Sequence, residues 1–313
     1  MTAAGFHEGE RAVQRRAGTE HDADRLSGML DAPWLDGGFS RFLAARTFAA
    51  LCGRDTSGRL WVSPLAGRAG MLDAHGTVLK VHTVPAAGDP LAGLPAGQPV
   101  GLIAIEFAIR RRVRINGTLD RVTGNGLVIG VEQAYGNCPQ YIQMRELRQV
   151  PAFGLVPGAA PAPAPAPAGS AGVRGELSEE DAGQIRRSDT FFLGTVHPTR
   201  GADCSHRGGP VGLVRVEGNE LWWPDYPGNK MFNSLGNLAV DPTAALLFAG
   251  FGSGRVLHLS GTAVTEWGAP GEPGDDGGTG RRVRFTVSAV QSGPPLPVRS
   301  RQVAPYHQNP PLT

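Results

Sequence analysis

The chain is organised around one stretch, Cys204–Phe248, which reads CSHRGGPVGLVRVEGNELWWPDYPGNKMFNSLGNLAVDPTAALLF. It places polar residues between two apolar runs that have the composition of β-strands. Hydroxyls, guanidinium and ammonium groups, amides and exposed backbone N–H groups are the donors that hold a phosphate or another anion. The stretch therefore predicts an anion site, and the rest of the chain is interpreted as its support. Two polar groups form this site: Ser205-His206-Arg207-Gly208-Gly209, and Gly228-Asn229-Lys230 followed by Asn233, Ser234 and Asn237.

The first polar group follows an apolar strand. Gly208 and Gly209 allow the backbone to approach a ligand closely, because they carry no Cβ. Arg207 is suited to bind two oxygens at once, and Ser205 offers a hydroxyl. His206 lies inside the motif and is a better site candidate than the other histidines. A structural alternative stays open, in which the segment is simply the end of a strand and a turn.

The second polar group carries a point charge at Lys230 beside the amide of Asn229. If a helix begins in this segment, Asn233, Ser234 and Asn237 share a face with Lys230, since they are three or four residues apart. Asp225 precedes the group and is included among the candidate site residues. Aromatic residues in the same stretch either form a wall beside the site or belong to the core: Trp222, Trp223 and Tyr226.

Other motifs of known chemistry are missing from the sequence. No GxGxxG precedes a helix and no GxxxxGK[ST] occurs, so neither a dinucleotide fingerprint nor a P-loop is indicated. No GxSxG is present, and the eight histidines form no HxxxH or HExxH pair, which argues against a serine nucleophile and a protein metal site. Any chemistry is therefore expected to come from a cofactor.

Composition limits the partners and the compartment. The 313 residues carry a net charge of only +2, and 19% of them are charged, which is unlike a nucleic-acid-binding protein. No apolar window is long enough to span a membrane, and the charged N-terminus is unlike a signal peptide. Three widely separated cysteines favour a reducing compartment, and the prediction is a cytoplasmic, bacterial protein.

The chain in order shows two sets of short apolar runs at spacings of about ten residues, typical of antiparallel barrels. Asn116-Gly117 predicts a hairpin turn, and helices are expected over 9–16, over 22–30 with Asp22 as its cap, from Ser40 to Ala45, and after Ser178. The Pro-Ala repeat predicts an extended spacer. The predicted organisation is an N-terminal arm (1–30), a first barrel (31–150), a Pro/Ala-rich linker (151–177), a second barrel (178–291) and an irregular tail (292–313).

The two halves also align with each other. Ser63-Pro64-Leu65-Ala66-Gly67 falls on Ser205–Gly209, and Asn116-Gly117-Thr118 falls on Ser260-Gly261-Thr262. This spacing favours two copies of one small barrel. Only the second copy has the GNKMFNSLGN segment, so the first is predicted to have a degenerate site.

In these motifs the sequence resembles the pyridoxamine 5′-phosphate oxidase-like, FMN-binding split-barrel superfamily, and more narrowly its tandem bacterial flavin-nucleotide-binding group. The second-half match is the more specific, and the first half adds FHEGERAVQRRAG and QAYGNCPQYIQMR. The second-half segments are FLGTV, CSHRGGPVG, LWWPDYPGNKMFNSLGNL, DPTAALLF and RVLHLSGTA.

The resemblance implies a mainly β protein of two tandem split barrels with small helices. It also implies FMN at a barrel–barrel interface, with phosphate contacts from Cys204–Gly209 and from a basic pair at Asn229-Lys230. Asn229 stands where the vitamin B6 enzymes have Arg, and their substrate-binding tail has no counterpart, so the vitamin B6 reaction is not expected.

The resulting hypothesis is an FMN-dependent oxidoreductase that exchanges electrons with a small molecule. A non-catalytic protein that binds a flavin, the deazaflavin F420 or haem is the alternative, and a structural barrel with a vestigial site is a third. The two barrels are expected to join as an intramolecular pseudo-dimer, or two chains as a homodimer. Arg111, Arg112 and Arg114, or the segment 137–141, then either reach the second-half site or form a solvated face.

Overall fold

The computed structural model describes residues 5–30, 34–150, 172–300 and 302–312. Short 3₁₀ turns occur at Ser27–Leu30 and Phe107–Ile109. None of the helices in these ranges has the length and apolar character needed to cross a membrane. The α-helices of the described residues are α1 (Glu8–Arg16), α2 (Glu20–Asp24), α3 (Gly38–Ala44), α4 (Glu179–Arg186) and α5 (Asn233–Val240).

The first half of the chain forms a seven-stranded antiparallel sheet with two short strands after it. The strands are β1 (Phe48–Arg54), β2 (Leu60–Ala66), β3 (Leu72–His75), β4 (Val78–Val81), β5 (Gln98–Glu106), β6 (Arg111–Thr123), β7 (Gly126–Asn137), β8 (Met144–Arg145) and β9 (Arg148–Gln149). The order across the sheet is β2-β1-β5-β6-β7-β4-β3.

The second half repeats this arrangement. Its strands are β10 (Thr190–His197), β11 (Gly201–Gly208), β12 (Arg215–Glu217), β13 (Glu220–Pro224), β14 (Thr243–Ala249), β15 (Val256–Trp267), β16 (Arg281–Gly293), β17 (Val298–Arg299) and β18 (Gln302–Ala304). The order β11-β10-β14-β15-β16-β13-β12 is that of the first sheet with every strand number raised by nine. The protein is thus mainly β and built of two tandem split barrels, as the resemblance implied.

Each barrel encloses its own core, and a third core lies between the barrels. The shared core combines Phe48 and Phe107 of the first half with Phe192 and Leu247 of the second. This explains the unbroken apolar runs of β1 and β10, because one face of each strand packs inside its barrel and the other faces the partner barrel. Gly101 lies where the two sheets come into close contact, since a Cβ there would come within 2.6 Å of the backbone of Cys204.

The predicted turn at Asn116-Gly117 is wrong. Both residues lie within β6, at a bulge in its pairing with β7. The glycine serves close strand contact rather than chain reversal, since a Cβ on Gly117 would lie 2.1 Å from the carbonyl oxygen of Gly130. The chain reverses eight residues later, between Thr123 and Gly126.

The segment 292–313 is not an irregular tail. It returns to the first half, where β17 pairs with β9 and β18 pairs with β8. Leu296, Val298 and Tyr306 are buried there, which provides the apolar contact that holds the segment. Residues 151–171 of the predicted linker lie outside the described residues. Arg174, in its last part, already bridges to Val290 of β16.

The helix predictions hold where a capping side chain is present. Ser178 and Asp181 form the expected capping box at the start of α4. The helix predicted over 9–16 is α1, which His7 caps. Asp22 is not a cap but lies inside α2, and Ser40 lies inside α3, because these helices begin earlier without a capping side chain.

Candidate functional site

A cleft opens where β11 and the segment after β13 face β6 and the residues after β7. It is therefore built by both halves of the chain. The second half supplies His206, Arg207 and Gly208, and the first half supplies Arg112 and Arg114. The remaining lining residues are Asn137, Cys138, Gln140, Tyr141, Leu213, Trp223, Pro224, Asp225, Tyr226, Pro227, Gly228, Asn229, Lys230, Phe232, Asn233, Ser234 and Leu235.

Arg112 is a guanidinium without a counter-ion among the described residues. Its Nη1 donates to Nδ1 of His206 at 2.7 Å and to the His206 carbonyl at 3.1 Å. Burial, together with the charges of Arg114 and Arg207, lowers the pKa of Arg112 to about 9, which still leaves the group charged at neutral pH. A desolvated cation with no carboxylate partner is unfavourable, and an anion in the cleft would relieve it.

Arg207 faces the same cleft as Arg112 and shares the carboxylate of Asp225 with Arg281. Its Nη1 is 3.4 Å from Oδ1 of Asp225, whose Oδ2 accepts from Nε of Arg281 at 2.9 Å. Burial lowers the pKa of Arg207, and Asp225 only partly offsets this. The Nε of Arg207 is buried and has no hydrogen-bond acceptor among the described residues. Two guanidinium groups from different barrels thus face one cleft with an incomplete set of acceptors.

Arg114 has a carboxylate partner and forms the floor of the cleft, although its buried Nε has no hydrogen-bond partner among the described residues. Its Nη1 lies 3.1 and 3.2 Å from the two carboxylate oxygens of Asp203. Burial alone would lower the pKa of Arg114, but Asp203 raises it above its ordinary value. Asn116 and Ser234 also donate to Asp203, at 3.3 and 3.1 Å. This buried network joins β6 of one barrel to β11 and α5 of the other.

His206 is buried and neutral. Its pKa is far below the ordinary value because of burial and then because of Arg112, Arg145 and Arg207. Since Nδ1 accepts from Arg112, the ring proton is on Nε2, which has no acceptor among the described residues. His206 therefore orients Arg112 and leaves one N–H group unpaired at the cleft wall.

Lys230 does not lie on a helical face, contrary to the prediction. α5 begins at Asn233, and Lys230 and Phe232 both have positive φ, at 64° and 60°. The Nζ of Lys230 donates to Oδ2 of Asp22 in α2 at 2.6 Å, and both side chains are about half exposed. Asn229 accepts from the backbone N–H of Met231 at 3.2 Å. Both residues line the cleft, with Lys230 at its mouth.

Three of the predicted site residues do not line the cleft. Ser205 is 1% exposed, and its hydroxyl lies 3.3 Å from the carbonyl of Leu193. The N–H of Gly209 is bound to the carbonyl of Asp189. The amide of Asn237 is used by Thr195 and His7, at 3.0 and 3.1 Å. Their donors and acceptors form hydrogen bonds with other groups of the protein beneath the cleft.

The cleft also contains residues that were not among the predicted site residues. Tyr141 and Tyr226 have ring centroids 4.8 Å apart and form an aromatic wall. Tyr141 has a φ of 61°, and a Cβ on Gly208 would lie 2.1 Å from its carbonyl oxygen, so Gly208 admits this turn. Burial raises the pKa of Tyr141 to about 12, so its hydroxyl stays protonated. The signals for this side were the basic alternation of β6 and the QAYGNCPQYIQMR motif.

Trp222 and Trp223 belong mainly to the fold. Trp223 is 1% exposed and packs edge-on against Phe191 in the second core. Trp222 faces outward and is covered by the guanidinium groups of Arg215 and Arg282. Of the three aromatics singled out in the sequence, Tyr226 therefore contributes most to the cleft wall.

A cluster outside the cleft has the composition of a metal site. His7, Glu8 and His197 bring their ligand atoms within 4.8 Å of one another. However, Nδ1 of His7 accepts from Gly9 and Nδ1 of His197 accepts from Thr199, both from backbone N–H groups. Each Nε2 therefore carries the ring proton, and the lone pairs that a metal needs are already used. These histidines attach the N-terminal arm to the second barrel.

Fold and cleft together define a double split-barrel protein with a cleft lined by cationic side chains between the barrels. Residues 177–270 match the family model described as "Pyridoxamine 5′-phosphate oxidase". This match lies in the second half of the chain and confirms the resemblance stated from the sequence. No curated protein sequence matched the chain.

Solved structures similar to the chain each align with less than half of it. HupZ from Group A Streptococcus has 9% identity and a TM-score of 0.31, over 42% of this chain and 98% of that chain. A general stress protein 26-related protein from Clostridium acetobutylicum has 14% identity and a TM-score of 0.29, over 40% and 93%. An FAD-binding protein from Mesorhizobium loti has 12% identity and a TM-score of 0.27, over 39% and 99%.

Proposed function

We propose that the protein binds flavin mononucleotide in the cleft between its barrels and acts as a flavin-dependent oxidoreductase on a small electron donor or acceptor. The observation that carries this is Arg112, a cation without a carboxylate partner that faces Arg207 from the other barrel. The family match supports a flavin in particular, because a flavin is the cofactor that the resemblance to this family implies. The first barrel would take the place that a second subunit has in single-barrel relatives.

The residues present fit a phosphate-bearing flavin. Arg112 and Arg207 would hold the phosphate, and the unpaired Nε of Arg207 and Nε2 of His206 offer further donors. Lys230 would add charge at the mouth of the cleft, and Asn229 an amide. The wall of Tyr141 and Tyr226 supplies a flat apolar surface for a ring system. When bound, the flavin supplies hydride and electron transfer.

A non-catalytic flavin carrier is the second candidate, and one feature of the cleft favours it. His206 is the cleft's imidazole, and its low pKa keeps it neutral and unable to act as an acid near pH 7. The pKa of Tyr226 is raised by burial, so its hydroxyl is a poor base there. Reduction of the bound flavin by a nicotinamide donor, followed by turnover with an acceptor, would separate an enzyme from a carrier.

Haem and F420 are the alternative ligands. Haem would need an imidazole lone pair, but in His206 one nitrogen accepts from Arg112 and the other carries the proton. F420 also carries a phosphate and is compatible with the same cations. The absorption spectrum of the loaded protein distinguishes the three ligands. A cytoplasmic location stays a prediction, to which the free cysteines Cys52, Cys138 and Cys204 are suited.

The test compares FMN with riboflavin, which lacks the phosphate. We expect Arg112→Ala to weaken FMN about 10- to 100-fold, since a charge-assisted contact contributes about 1.5–3 kcal/mol. Riboflavin affinity should change little. Arg111→Ala is the matched control, because Arg111 is the exposed neighbour on the same strand. Failure to bind either flavin, or equal losses for both ligands, would refute the proposed phosphate site.

A further inference from the structure

Strand register identifies the place between the barrels that is equivalent to the first cleft; its residues are buried, and it is called the second cleft for this equivalence. Leu51 pairs with Ser63 as Leu193 pairs with Ser205. In the same way, Ile103 of β5 pairs with Arg114 of β6, and Leu247 of β14 pairs with His258 of β15. The pairing of β1 with β5 has the same register as the pairing of β10 with β14, so the two halves can be compared strand by strand. Ser63 and His258 are therefore the structural equivalents of Ser205 and Arg114.

The second cleft has lost the cations of the first. The same register places Val256 at the position equivalent to Arg112, Pro64 at that of His206 and Leu65 at that of Arg207. Three of the donors that face the first cleft, Arg112, His206 and Arg207, are thus replaced by side chains without a polar group. The guanidinium pair that would hold a phosphate in the first cleft has no counterpart there.

A carboxylate of the chain itself occupies the polar part of this second cleft. Asp89, in the loop between β4 and β5, accepts from the hydroxyl of Ser63 and from the backbone N–H of Leu91 at 2.8 Å. Its other oxygen lies 3.5 Å from Nε2 of His258. Asp89 is 4% exposed, and Ser63 and His258 are fully buried. The carboxylate comes from the first barrel and the imidazole from the second.

The protonation of His258 follows from its partners. Nδ1 lies 2.8 Å from the carbonyl oxygen of Val62, so it carries a proton and donates. Nε2 and Oδ2 of Asp89 have no hydrogen-bond partner among the described residues, and they face each other. The pair is therefore a buried imidazole–carboxylate contact that joins the barrels.

We propose that the second cleft is a carboxylate-binding site occupied by the chain's own Asp89, and that the protein holds one anionic ligand per chain. Ser63, His258 and the N–H of Leu91 form the receptor, which has the size and donors for a formate-like anion. The count of one ligand rests on the proposed function of the first cleft. The carboxylate site does not, because its test requires no flavin.

The test is chemical rescue in the full-length chain. Asp89→Ala leaves His258 buried without its partner and should lower the melting temperature by about 6 °C or more. Sodium formate should restore part of this loss, whereas sodium chloride at the same ionic strength should not. Asp73→Ala, which removes an exposed carboxylate of the same barrel, is the matched control and should show neither the loss nor the rescue.

The receptor is tested in the same background. In Asp89→Ala/His258→Leu the formate effect should disappear. The proposal fails if formate stabilises Asp89→Ala no more than chloride does, or stabilises the double variant and the control equally. If Asp89→Ala does not fold, its refolding yield from urea in formate and in chloride gives the same decision, and equal yields refute the site. Two FMN molecules per chain would refute only the count.

Discussion

The two clefts between the barrels share their strand geometry and differ in a few side chains. In the first, Arg112 and Arg207 face the opening without a full set of acceptors. In the second, Val256 and Leu65 stand at the same register positions, and the carboxylate of Asp89 contacts the polar floor from within the chain. We infer from this comparison that the fold supplies the location of a site twice, and that unpaired charge favours an external ligand in only one of the two.

The strongest effect is expected at the floor of the first cleft. Asp203→Asn leaves Arg114 buried without its counter-ion and should cost about 3–5 kcal/mol of stability in urea unfolding. In the first cleft the counter-ion lies on a strand, whereas in the second it lies on a loop. Arg114→Met/Asp203→Asn, which removes both charges, should recover much of the loss. If Asp203→Asn alone is neutral, the pair is not the joint that the structure indicates.

Removing charge from the first cleft should make it resemble the second. Arg207→Ala/Lys230→Ala is expected to weaken FMN about a hundredfold, because two charge-assisted contacts are lost. Lys80→Ala/Arg186→Ala removes the same charge from exposed positions and is the control for long-range attraction. Titration followed by flavin fluorescence measures both. An equal loss in the two double variants would mean that net charge, and not the cleft, attracts the ligand.

The N-terminal arm contacts the lining of the first cleft through Glu10, which accepts from Asn233, and the contribution of Glu10 to stability depends on pH. Burial raises the pKa of the Glu10 carboxyl from 4.5 to about 7. Hydrogen bonds from the backbone N–H of His7 and from the side chain of Asn233 oppose this shift, and the charge of Asp203 adds to it. The folded state therefore holds this proton more tightly than the unfolded state. Its contribution is greatest below pH 4.5 and is lost as pH rises to about 7.

The difference between wild type and Glu10→Gln isolates this effect. The shift corresponds to about 3 kcal/mol between these pH values, and the variant should lack that decline. Comparing the two proteins removes the opposite contribution of His7, whose pKa is lowered to about 4 by burial and by the nearby His197. Urea unfolding at several pH values from 4 to 8 measures it. Parallel stability curves would show that Glu10 is not the titrating group.

The smallest effect is expected at the mouth of the first cleft. Asp22→Asn frees Lys230 from its exposed ion pair, so FMN affinity should rise a few-fold at low salt and the gain should shrink as salt is added. Asp24→Asn is the control, because Asp24 is an acid of the same helix that pairs with Arg11 instead. A fall in affinity, or the same rise in both variants, would contradict competition between Asp22 and the ligand.

The sequence was sufficient to predict the barrels because their strands alternate or run apolar as their burial demands. It also located one side of the cleft, since Arg207, Gly208 and Lys230 fall in one short segment. The sequence did not distinguish the side chains that line the cleft from those that form hydrogen bonds beneath it. Ser205 and Asn237 have the chemistry of ligand donors, but their partners Leu193 and Thr195 come from a neighbouring strand.

Long-range pairing explains the other errors. Asn116-Gly117 has the local signature of a turn, yet its role is set by the close approach of Gly130 on the next strand. The segment after β16 has no periodicity of its own and acquires order by pairing with β8 and β9. Arg112 was one of three arginines with equal claims, and only the position of the other barrel separates it from the exposed Arg111.

The most direct test of the comparison is to count FMN bound to the purified full-length chain by equilibrium dialysis. We predict one FMN per chain for the wild type and for Arg111→Ala. Arg112→Ala should bind little FMN at concentrations that saturate the wild type. Two FMN per chain would show that the second cleft also binds, and undiminished binding by Arg112→Ala would show that unpaired charge does not define the site.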